Sequence, residues 1–407
     1  MSGAGGARLA LAGSMLAIAA ALAWLCLRTA ISGAYAETDP ARALRWDPAN
    51  PQALTALAVA TANAGDSDAA FDRAARLARR ALTLAPLDSS ALRVLALDAE
   101  RHGQEARAAA LMGEVSRRTR RDSLAQAWMM NRAFEGRRYA QGFEYAAAIM
   151  QRAPEWGETI FPAMTATFGD PASRPALRAT LATGPEWRRM FLAELVAEAP
   201  DVAALRGFFE SFRTAQAPLT DQEAGLLIGR LIAEGRYGAA QEAWRVLSGQ
   251  AARSDRLVYD GDFRGAPGAP PFNWGLASDA SAVAERVQAP DGEPALYVRF
   301  PLSEPSPLAE ELLVLAPGEY VLSGRVLFGE RRAERLNWRI QCADGEAIEL
   351  PAATETPQGG GWSAFEIPFT VPAQNCPGQW LQLGSQAQDD FGMAEAWFAA
   401  IDVRPQG

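Results

Sequence analysis

The residues best suited to bind a ligand lie in the C-terminal part of the chain, where polar and apolar side chains alternate. Trp380 and Gln382, for example, alternate with Leu381 and Leu383. Because successive side chains of a strand point to opposite faces of a sheet, this pattern predicts a polar face opposite the core. The residues predicted on this face are Ser323, Arg325, Asn337, Arg339, Gln341, Trp380 and Gln382.

These residue types suit the recognition of sugars. An indole ring can stack on the C–H faces of a sugar, while amide and guanidinium groups bond its hydroxyls. We therefore predict a carbohydrate-binding face that includes the ring of Trp380. Two other interpretations stay open at this point: an ordinary solvated sheet face, and a face that docks on the helical part of the chain.

An enzyme is the alternative class of function. A glycoside hydrolase needs two carboxylates about 5–10 Å apart, and Asp260, Asp262 and Glu366 are the candidates, but no motif pairs any two of them. Any Ser-His-Asp triad or histidine-based metal site would need His102, the single histidine. Its position beside Gly103 favours a surface residue at a helix end. We predict a protein without catalytic residues, metal or cofactor.

The segments that carry the polar residues predict a β-sandwich over residues 255–407. About eight short alternating segments are separated by Pro and Gly turns, and we assign three aromatic residues to the core: Trp274, Trp338 and Trp397. Two cysteines in this region, Cys342 and Cys376, predict a disulfide in an oxidising compartment. Two buried free thiols are the alternative.

Short motifs at both ends of this region add a resemblance. The region begins with YDGDF at 259–263 and PFNW at 271–274, and its last predicted strand carries Asp402. These motifs resemble the jelly-roll carbohydrate-binding modules, and the resemblance implies a jelly roll that binds carbohydrate. Arg264 departs from that family, because it puts a positive charge where a structural Ca²⁺ would want a carboxylate. We therefore predict no metal.

Residues 37–250 contain a repeated pattern. The run EGRRYAQGFEYA at 135–146 returns as EGRYGAAQEAW at 234–244, about three periods of ~33 residues later. Ala-Pro pairs ending at Pro86 and Pro154 are two periods of ~34 residues apart. This self-similarity resembles the tetratricopeptide-repeat family. The resemblance implies an α-solenoid of stacked helical hairpins that binds peptides or partner proteins in a concave groove.

Local signals refine the helical part. A long helix is predicted over 68–84, and the run TDQE at 220–223 has the form of a capping box before an apolar segment. Between 156 and 186 several prolines and glycines interrupt the repeats, and we expect irregular structure there.

Residues 1–36 are predicted to form a membrane anchor and a short linker. The run from Leu9 to Leu27 carries no charge, and at ~1.5 Å per residue it matches a hydrocarbon core of about 30 Å. A candidate cleavage site, AYA at 34–36, follows well beyond the apolar run, so we expect an anchor that stays on the mature protein. The arginines after the run do not favour export under the positive-inside rule, whereas the predicted disulfide does.

Charge is distributed unevenly along the chain. The net charge is −9, and residues from Asp255 onward include 22 acidic and 10 basic side chains. An acidic C-terminal half argues against nucleic acid as a partner.

Together these patterns predict an adaptor that crosses the inner membrane once and lies mostly in the periplasm. Its helical repeats would bind partner proteins, and its sandwich would contact polysaccharide. The arrangement is similar to repeat proteins associated with bacterial exopolysaccharide export. A polysaccharide-active enzyme such as a glycoside hydrolase is the alternative.

Overall fold

The structure is a computed structural model of the chain. It describes residues 3–65, 67–249, 256–278, 282–329, 336–343, 345, 347–348, 361–386 and 392–406. Helices are followed by two antiparallel sheets, so the predicted fold class, a helical part before a β-sandwich, is confirmed. Two compact units divide the chain, Met1–Thr180 and Leu181–Gly407. The second unit therefore contains the last helices as well as the sandwich.

The first unit is a series of antiparallel helices joined by short turns. Its helices are α1 (Gly3–Tyr35), α2 (Pro40–Trp46), α3 (Pro51–Ala64), α4 (Asp68–Leu84), α5 (Ser89–Arg101), α6 (Glu105–Arg118), α7 (Ser123–Glu135), α8 (Tyr139–Met150), α9 (Gly157–Ala166) and α10 (Arg174–Leu181). The long helix predicted over 68–84 is confirmed as α4. The expected irregularity is also confirmed, because 3₁₀ turns flank α9 and Pro162 lies inside it.

Side-chain caps start several of these helices. The residue before the helix accepts a hydrogen bond from a backbone N–H that has no partner within the helix. The capping residues are Asp39, Asn50, Ser67, Asp88 and Asp122. The capping residue next to each of these helices therefore determines where the helix begins.

Small residues allow the helices to approach closely. The buried face of α4 consists of alanines without solvent exposure, Ala74, Ala75, Ala78 and Ala81. In the repeated motif, a Cβ added at Gly142 would lie 2.3 Å from the Phe134 ring, which is closer than any real contact. A larger residue at this position would therefore separate α7 from α8.

α1 is long enough and apolar enough to cross a membrane over Met15–Tyr35, a property that a signal sequence shares. Residues 28–35, which follow the predicted span and were expected to belong to a short linker, instead continue α1 and pack on the next two helices, and buried Ala36 follows in a turn. Ser32 is fully buried, its hydroxyl donates to Ala43 O at 3.0 Å, and it accepts from Asn50 Nδ2 at 2.9 Å.

The second unit begins with four helices. They are α11 (Arg188–Glu198), α12 (Val202–Glu210), α13 (Asp221–Ala233) and α14 (Tyr237–Leu247). The predicted capping box at the start of α13 is confirmed. α14 packs on the chain that precedes the first strand, where the Trp244 ring lies 4.9 Å from that of Tyr259 and its Nε1 donates to Ala269 O at 2.8 Å.

The strands follow in ten segments within the described residues. They are β1 (Gly275–Leu276), β2 (Val283–Gln288), β3 (Pro294–Pro301), β4 (Ser306–Leu313), β5 (Gly318–Phe328), β6 (Leu336–Cys342), β7 (Ala347–Ile348), β8 (Ser363–Val371), β9 (Gln379–Ser385) and β10 (Met393–Pro405). The first sheet has the order β1-β4-β9-β6-β7, and the second sheet has the order β2-β3-β10-β5-β8. The apolar core lies between them and contains Trp274 and Trp338, as predicted.

Trp397 is not a core residue, so that part of the prediction is wrong. It is half-buried beside Tyr297, with ring centroids 5.2 Å apart, while its neighbours Ala396 and Phe398 are buried in the core. The pairing of β10 with β5 shifts register between Ala399 and Asp402. An extra residue in a strand reverses which side chains face inward, so the alternation read back from the end of β10 gave the wrong face.

The two cysteines of the sandwich form a disulfide between Cys342 and Cys376, with an S–S distance of 2.01 Å. Buried Gln379 supports this region: its Oε1 accepts from Leu315 N at 2.9 Å and its Nε2 donates to Cys376 O at 2.7 Å. The bridge fastens the chain before β9 to the end of β6, and the Gln379 amide fastens it to the segment after β4.

Candidate ligand-binding face

Five of the seven predicted ligand residues share the outer face of the first sheet. They are Asn337, Arg339 and Gln341 on β6, with Trp380 and Gln382 on β9. Ser323 and Arg325 lie on β5 in the second sheet, so the expectation of one face with all seven residues is wrong. Alternation shows which side chains point away from a core, but each sheet of a sandwich has its own outer face.

Strand register brings the five residues together as one patch. Arg339 lies opposite Gln382, Gln341 lies opposite Trp380, and Asn337 lies opposite Gly384. Side chains in such pairs have Cβ atoms about 4.5–5.5 Å apart. An indole ring, a guanidinium group and three amides are therefore within reach of a single ligand.

Glu310 of β4 extends this patch, although the sequence analysis missed it. It lies opposite Gln382, whose Nε2 donates to Glu310 Oε2 at 3.1 Å. The sequence of β4, SPLAEELL, shows no clean alternation, and its pairing with β9 shifts register between Pro307 and Ala309. The signal available in the sequence was a glutamate within a largely apolar strand, which could have marked Glu310 as a residue of the outer face. Its carboxylate adds a charged acceptor to the patch.

Two contacts hold polar side chains of the patch along the sheet. A Cβ added at Gly384 would lie 3.3 Å from Arg339 Nη2, so the glycine allows the guanidinium to lie close to β9. Gln341 Nε2 donates to Gly345 O at 2.9 Å. Side chains that are already held in place lose less conformational freedom when a ligand binds.

A different cluster occupies the outer face of the second sheet. The Arg325 guanidinium lies 5.4 Å from the centre of the Trp362 ring and pairs with Glu293. Trp362 Nε1 donates to Asp291 Oδ2 at 2.7 Å. Hydrogen bonds from the Glu293 backbone N–H and from this indole lower the pKa of Asp291. The polar groups of this cluster bond one another, which makes it a useful comparison for the patch on the first sheet.

The three carboxylates considered for an enzyme each pair with an arginine. The pairs are Asp260 with Arg286 at 2.8 Å, Asp262 with Arg264 at 2.8 Å, and Glu366 with Arg404. Glu366 lies on β8 in the second sheet, whereas Asp260 and Asp262 lie in the segment before β1. The buried carboxylate of Asp260 thus faces a guanidinium group, which also bonds Asn273 Oδ1 at 2.9 Å.

One further carboxyl group lies inside the sandwich. Glu311 is buried, and its Oε1 accepts from Tyr259 N at 2.8 Å. Burial raises its pKa well above the usual range, which favours the protonated acid. Its hydrogen bond fastens the segment before β1 to β4, so its role is structural.

His102 lies at the C-terminal end of α5 and is exposed, in agreement with the sequence analysis. Its Nδ1 is 2.8 Å from Asp98 O, and this hydrogen bond raises the pKa of the imidazole. Ligand atoms of Asp72, Asp98 and His102 lie within 4.8 Å of one another. Within this cluster Nδ1 bonds a carbonyl and Arg79 pairs with Asp98 at 3.5 Å.

A small pocket, lined by both apolar and charged side chains, lies between the helices of the second unit and the segment before β1; Arg213 and Asp221 are its charged residues. Its lining residues include Phe209, Phe212, Leu219, Ile228, Trp244 and Pro270. A pocket of this kind could take an apolar side chain of a partner.

Comparisons with known proteins give only partial likenesses. No family model matches the chain, and no curated protein matches it. One similar structure is that of promiscuous carbohydrate-binding modules from the β-sandwich superfamily. The two chains are 18% identical, the match covers 37% of this chain and 62% of the module's chain, and the TM-score is 0.27. Arabinose-bound MgGH51 α-L-arabinofuranosidase is 13% identical, with coverages of 37% and 26% and a TM-score of 0.29.

A third likeness concerns the helices. The structure of pilF from Pseudomonas aeruginosa, a protein with tetratricopeptide repeats, is 15% identical, covers 50% of this chain and 93% of its own, and has a TM-score of 0.28. The chain therefore spans less than two thirds of the length of the first two of these structures. The neighbours include both a repeat protein and β-sandwich carbohydrate-binding modules.

Proposed function

We propose that this protein is a non-enzymatic scaffold, anchored in the inner membrane and mostly periplasmic, that holds a partner protein on its helices and an envelope polysaccharide on its sandwich. The observation that carries the carbohydrate part is the patch on the first sheet. There Trp380 offers a ring beside the amides of Gln341 and Gln382 and the guanidinium of Arg339. This combination of stacking and hydrogen bonding is what sugars require.

Ion pairing supports a role without catalysis. A retaining or inverting hydrolase needs one carboxyl group to act as a general acid and a second to act as nucleophile or base. Each of the three candidate carboxylates instead has an arginine partner, and no two of them form a pair. The disulfide between Cys342 and Cys376 supports an oxidising compartment for the sandwich.

Replacing Trp380 by Ala should remove carbohydrate binding and leave the fold intact. Its side chain is only half-buried on the outer face, so no cavity forms, and the free energy of unfolding should change by less than about 1 kcal/mol. Affinity electrophoresis of the full chain through gels that contain glucans, galactans or arabinans would measure binding. For a polysaccharide that slows the native chain in the gel, we expect the variant to bind at least about tenfold more weakly. This corresponds to a loss of about 1.4 kcal/mol in binding free energy.

The matched control is Trp362→Ala, which removes a half-buried indole from the other sheet. It should leave carbohydrate retention unchanged. Equal losses in the two variants would assign the effect to general destabilisation. No retention of the native chain by any of these polymers would remove the support for a sugar-binding face.

The anchor should stay on the mature protein. The candidate cleavage site ends at Ala36, which is buried, and Arg28 of α1 pairs with Asp47 at 2.6 Å. Removal of α1 would leave Asp47 and the Asn50 amide without these partners and would expose the packed face of α2. N-terminal sequencing or intact-mass measurement on protein from membranes should find α1 present. A mature protein that begins at Glu37 would contradict this prediction.

A further inference from the structure

We propose that one edge of the first unit lies on the surface of the bilayer that α1 spans, where its arginines bind anionic phospholipid headgroups. We call this the lipid edge. It is formed by the loops that follow α2, α4 and α6, at 47–50, 85–88 and 119–122, together with the helix ends that adjoin them. The inference rests on the proposed anchor, because α1 determines which edge faces the membrane.

The packing of α1 marks where its exposed apolar part ends. Large apolar side chains between Met15 and Leu27 are exposed; Trp24, for example, is 57% exposed. From Arg28 onward the same helix is built into the repeats, through Arg28 with Asp47 and through Ser32 with Ala43. Because α1 is one uninterrupted helix, its membrane segment and its packed segment share an axis.

α2 runs antiparallel to the end of α1 and so returns toward the membrane. Earlier residues of α1 meet later residues of α2: Ser32 contacts Ala43, and the Trp24 and Trp46 rings lie 6.3 Å apart. The end of α2 therefore lies beside the end of the exposed apolar segment. Tryptophan is enriched at this level of membrane proteins, where its ring meets the headgroups.

Hydrogen bonds carry this edge from one repeat to the next. Arg80 Nη2 donates to Pro48 O at 2.8 Å, and Arg118 Nη1 donates to Pro86 O at 2.8 Å. Arg152 makes the same kind of bond to Arg120 O. Each loop therefore stacks on the previous one, starting from the loop beside α1.

The exposed side chains of the lipid edge suit a membrane surface. Its exposed apolar residues are Trp46, Leu84, Leu87 and Leu124, and Leu87 is 81% exposed. Its exposed basic residues are Arg45, Arg117, Arg120 and Arg121. Arg117 pairs with Glu114, and Arg120 lies 4.0 Å from Glu144. Apolar side chains among arginines are typical of surfaces that enter the headgroup layer of anionic bilayers.

The opposite edge, formed by the turns after α1, α3, α5 and α7, carries both charges. Exposed Glu37 and Asp39 lie there with exposed Arg137 and Arg138, and Asp68 pairs with Arg101 at 3.0 Å. A partner protein could also cover a basic and apolar edge. The bilayer is favoured because the lipid edge continues directly from a helix whose exposed side chains already require lipid.

Fluorescent labels on the full chain in lipid vesicles test the proposal. Cys26 is the free cysteine of the described residues and lies in the span, so a label there reports the anchor. The variant C26S with Leu87→Cys labels the lipid edge, and C26S with Thr38→Cys labels the opposite, exposed turn. Vesicles of phosphatidylcholine, with and without phosphatidylglycerol, would carry quenchers on the headgroup or in the acyl chain.

We expect acyl-chain quenchers to reach the Cys26 label and headgroup quenchers to reach the Leu87→Cys label. Quenching at Leu87→Cys should be at least about twofold stronger than at Thr38→Cys. Thr38 follows Arg28, where the exposed apolar part of α1 ends, by ten residues, which corresponds to about 15 Å along the axis of α1 and away from the membrane. Phosphatidylglycerol should increase it, and the added substitutions Arg120→Glu and Arg121→Glu should remove that increase.

Three results would contradict the proposal, and they differ in what else they exclude. If the Cys26 label is quenched while Leu87→Cys behaves like Thr38→Cys, the anchor holds but the edge does not lie on lipid. If the Cys26 label is not quenched either, the proposed anchor itself fails. If quenching at Leu87→Cys is equal in vesicles with and without phosphatidylglycerol, the edge does not bind anionic headgroups.

Discussion

Replacing Trp338 by Ala is expected to destabilise the sandwich by about 3–5 kcal/mol, the range for a buried aromatic residue. Its ring is 8% exposed and lies 6.0 Å from Trp274, 5.6 Å from Phe398 and 6.3 Å from Phe365. These rings come from separate segments of the sandwich, so the cavity would open where the two sheets meet. Urea unfolding of the native and variant chains, followed by near-ultraviolet circular dichroism, would measure the loss.

Two variants control this result. Trp397→Ala removes a half-buried indole on the outer face and should cost much less, whereas the strand alternation alone assigns Trp338 and Trp397 equal roles. Trp338→Phe should be milder than Trp338→Ala, since it keeps an aromatic ring and removes an indole N–H that has no hydrogen-bond partner among the described residues. Equal losses for Trp338→Ala and Trp397→Ala would show that the register shift in β10 is misplaced.

Breaking the ion pair of Arg188 and Glu223 is expected to destabilise the second unit by a similar amount, about 3–5 kcal/mol. The side chains are 6% and 5% exposed. Arg188 Nε and Nη2 donate to the two Glu223 oxygens at 2.7 Å each, and Nη1 donates to Ala217 O at 2.8 Å. Arg188→Met would leave a buried carboxylate without its cation and a loop carbonyl without its donor.

The double variant Arg188→Met with Glu223→Leu is the control, because it removes both charges. Replacing a buried ion pair by apolar groups is often neutral, so the double variant should be more stable than Arg188→Met alone. The cost to the capping box, where Thr220 N donates to Glu223 Oε2 at 2.8 Å, should be about 1 kcal/mol. A double variant that loses as much as the two single variants together would show that the two side chains do not act as a pair.

The effect of Arg188→Met should depend on pH. Burial raises the pKa of Glu223, but hydrogen bonds from Arg188 and from the Thr220 backbone outweigh burial and hold the pKa below its usual value. A carboxyl group with a lowered pKa stabilises the fold above its unfolded value of about 4.3 and loses this contribution as pH falls through the folded value. In the variant, burial without Arg188 leaves Glu223 to take up a proton at a higher pH than in the native chain. The difference in stability between native chain and variant should therefore be largest near neutral pH and should shrink as the medium becomes acidic.

Several features were predictable because they depend on short stretches of chain. The capping box at Thr220 needs only a hydroxyl and a glutamate three residues later. The helix over 68–84 and the alternation of β3 are similarly local. The close approach at Gly142 could also be expected, because the motif that contains it recurs with small residues.

Other features depend on which distant segments become neighbours. Arg325 and Arg339 follow the same alternation, but β5 and β6 belong to different sheets, and no local pattern states this. Glu310 joins the patch only because β4 lies beside β9. Trp397 faces outward because the pairing of β10 with β5 shifts register. The shift reverses which side chains of β10 face the core.

The sequence by itself determined the order of helices before strands, the apolar N-terminal segment, the main caps and the buried tryptophans Trp274 and Trp338. These features depend on composition and periodicity, which can be read from a short stretch of chain. The tertiary structure alone decided the strand order, which polar residues share the outer face of the first sheet, and the packing of residues 28–36 on the next helices. These depend on pairings between segments far apart in sequence, which form only when the whole unit buries its apolar surface.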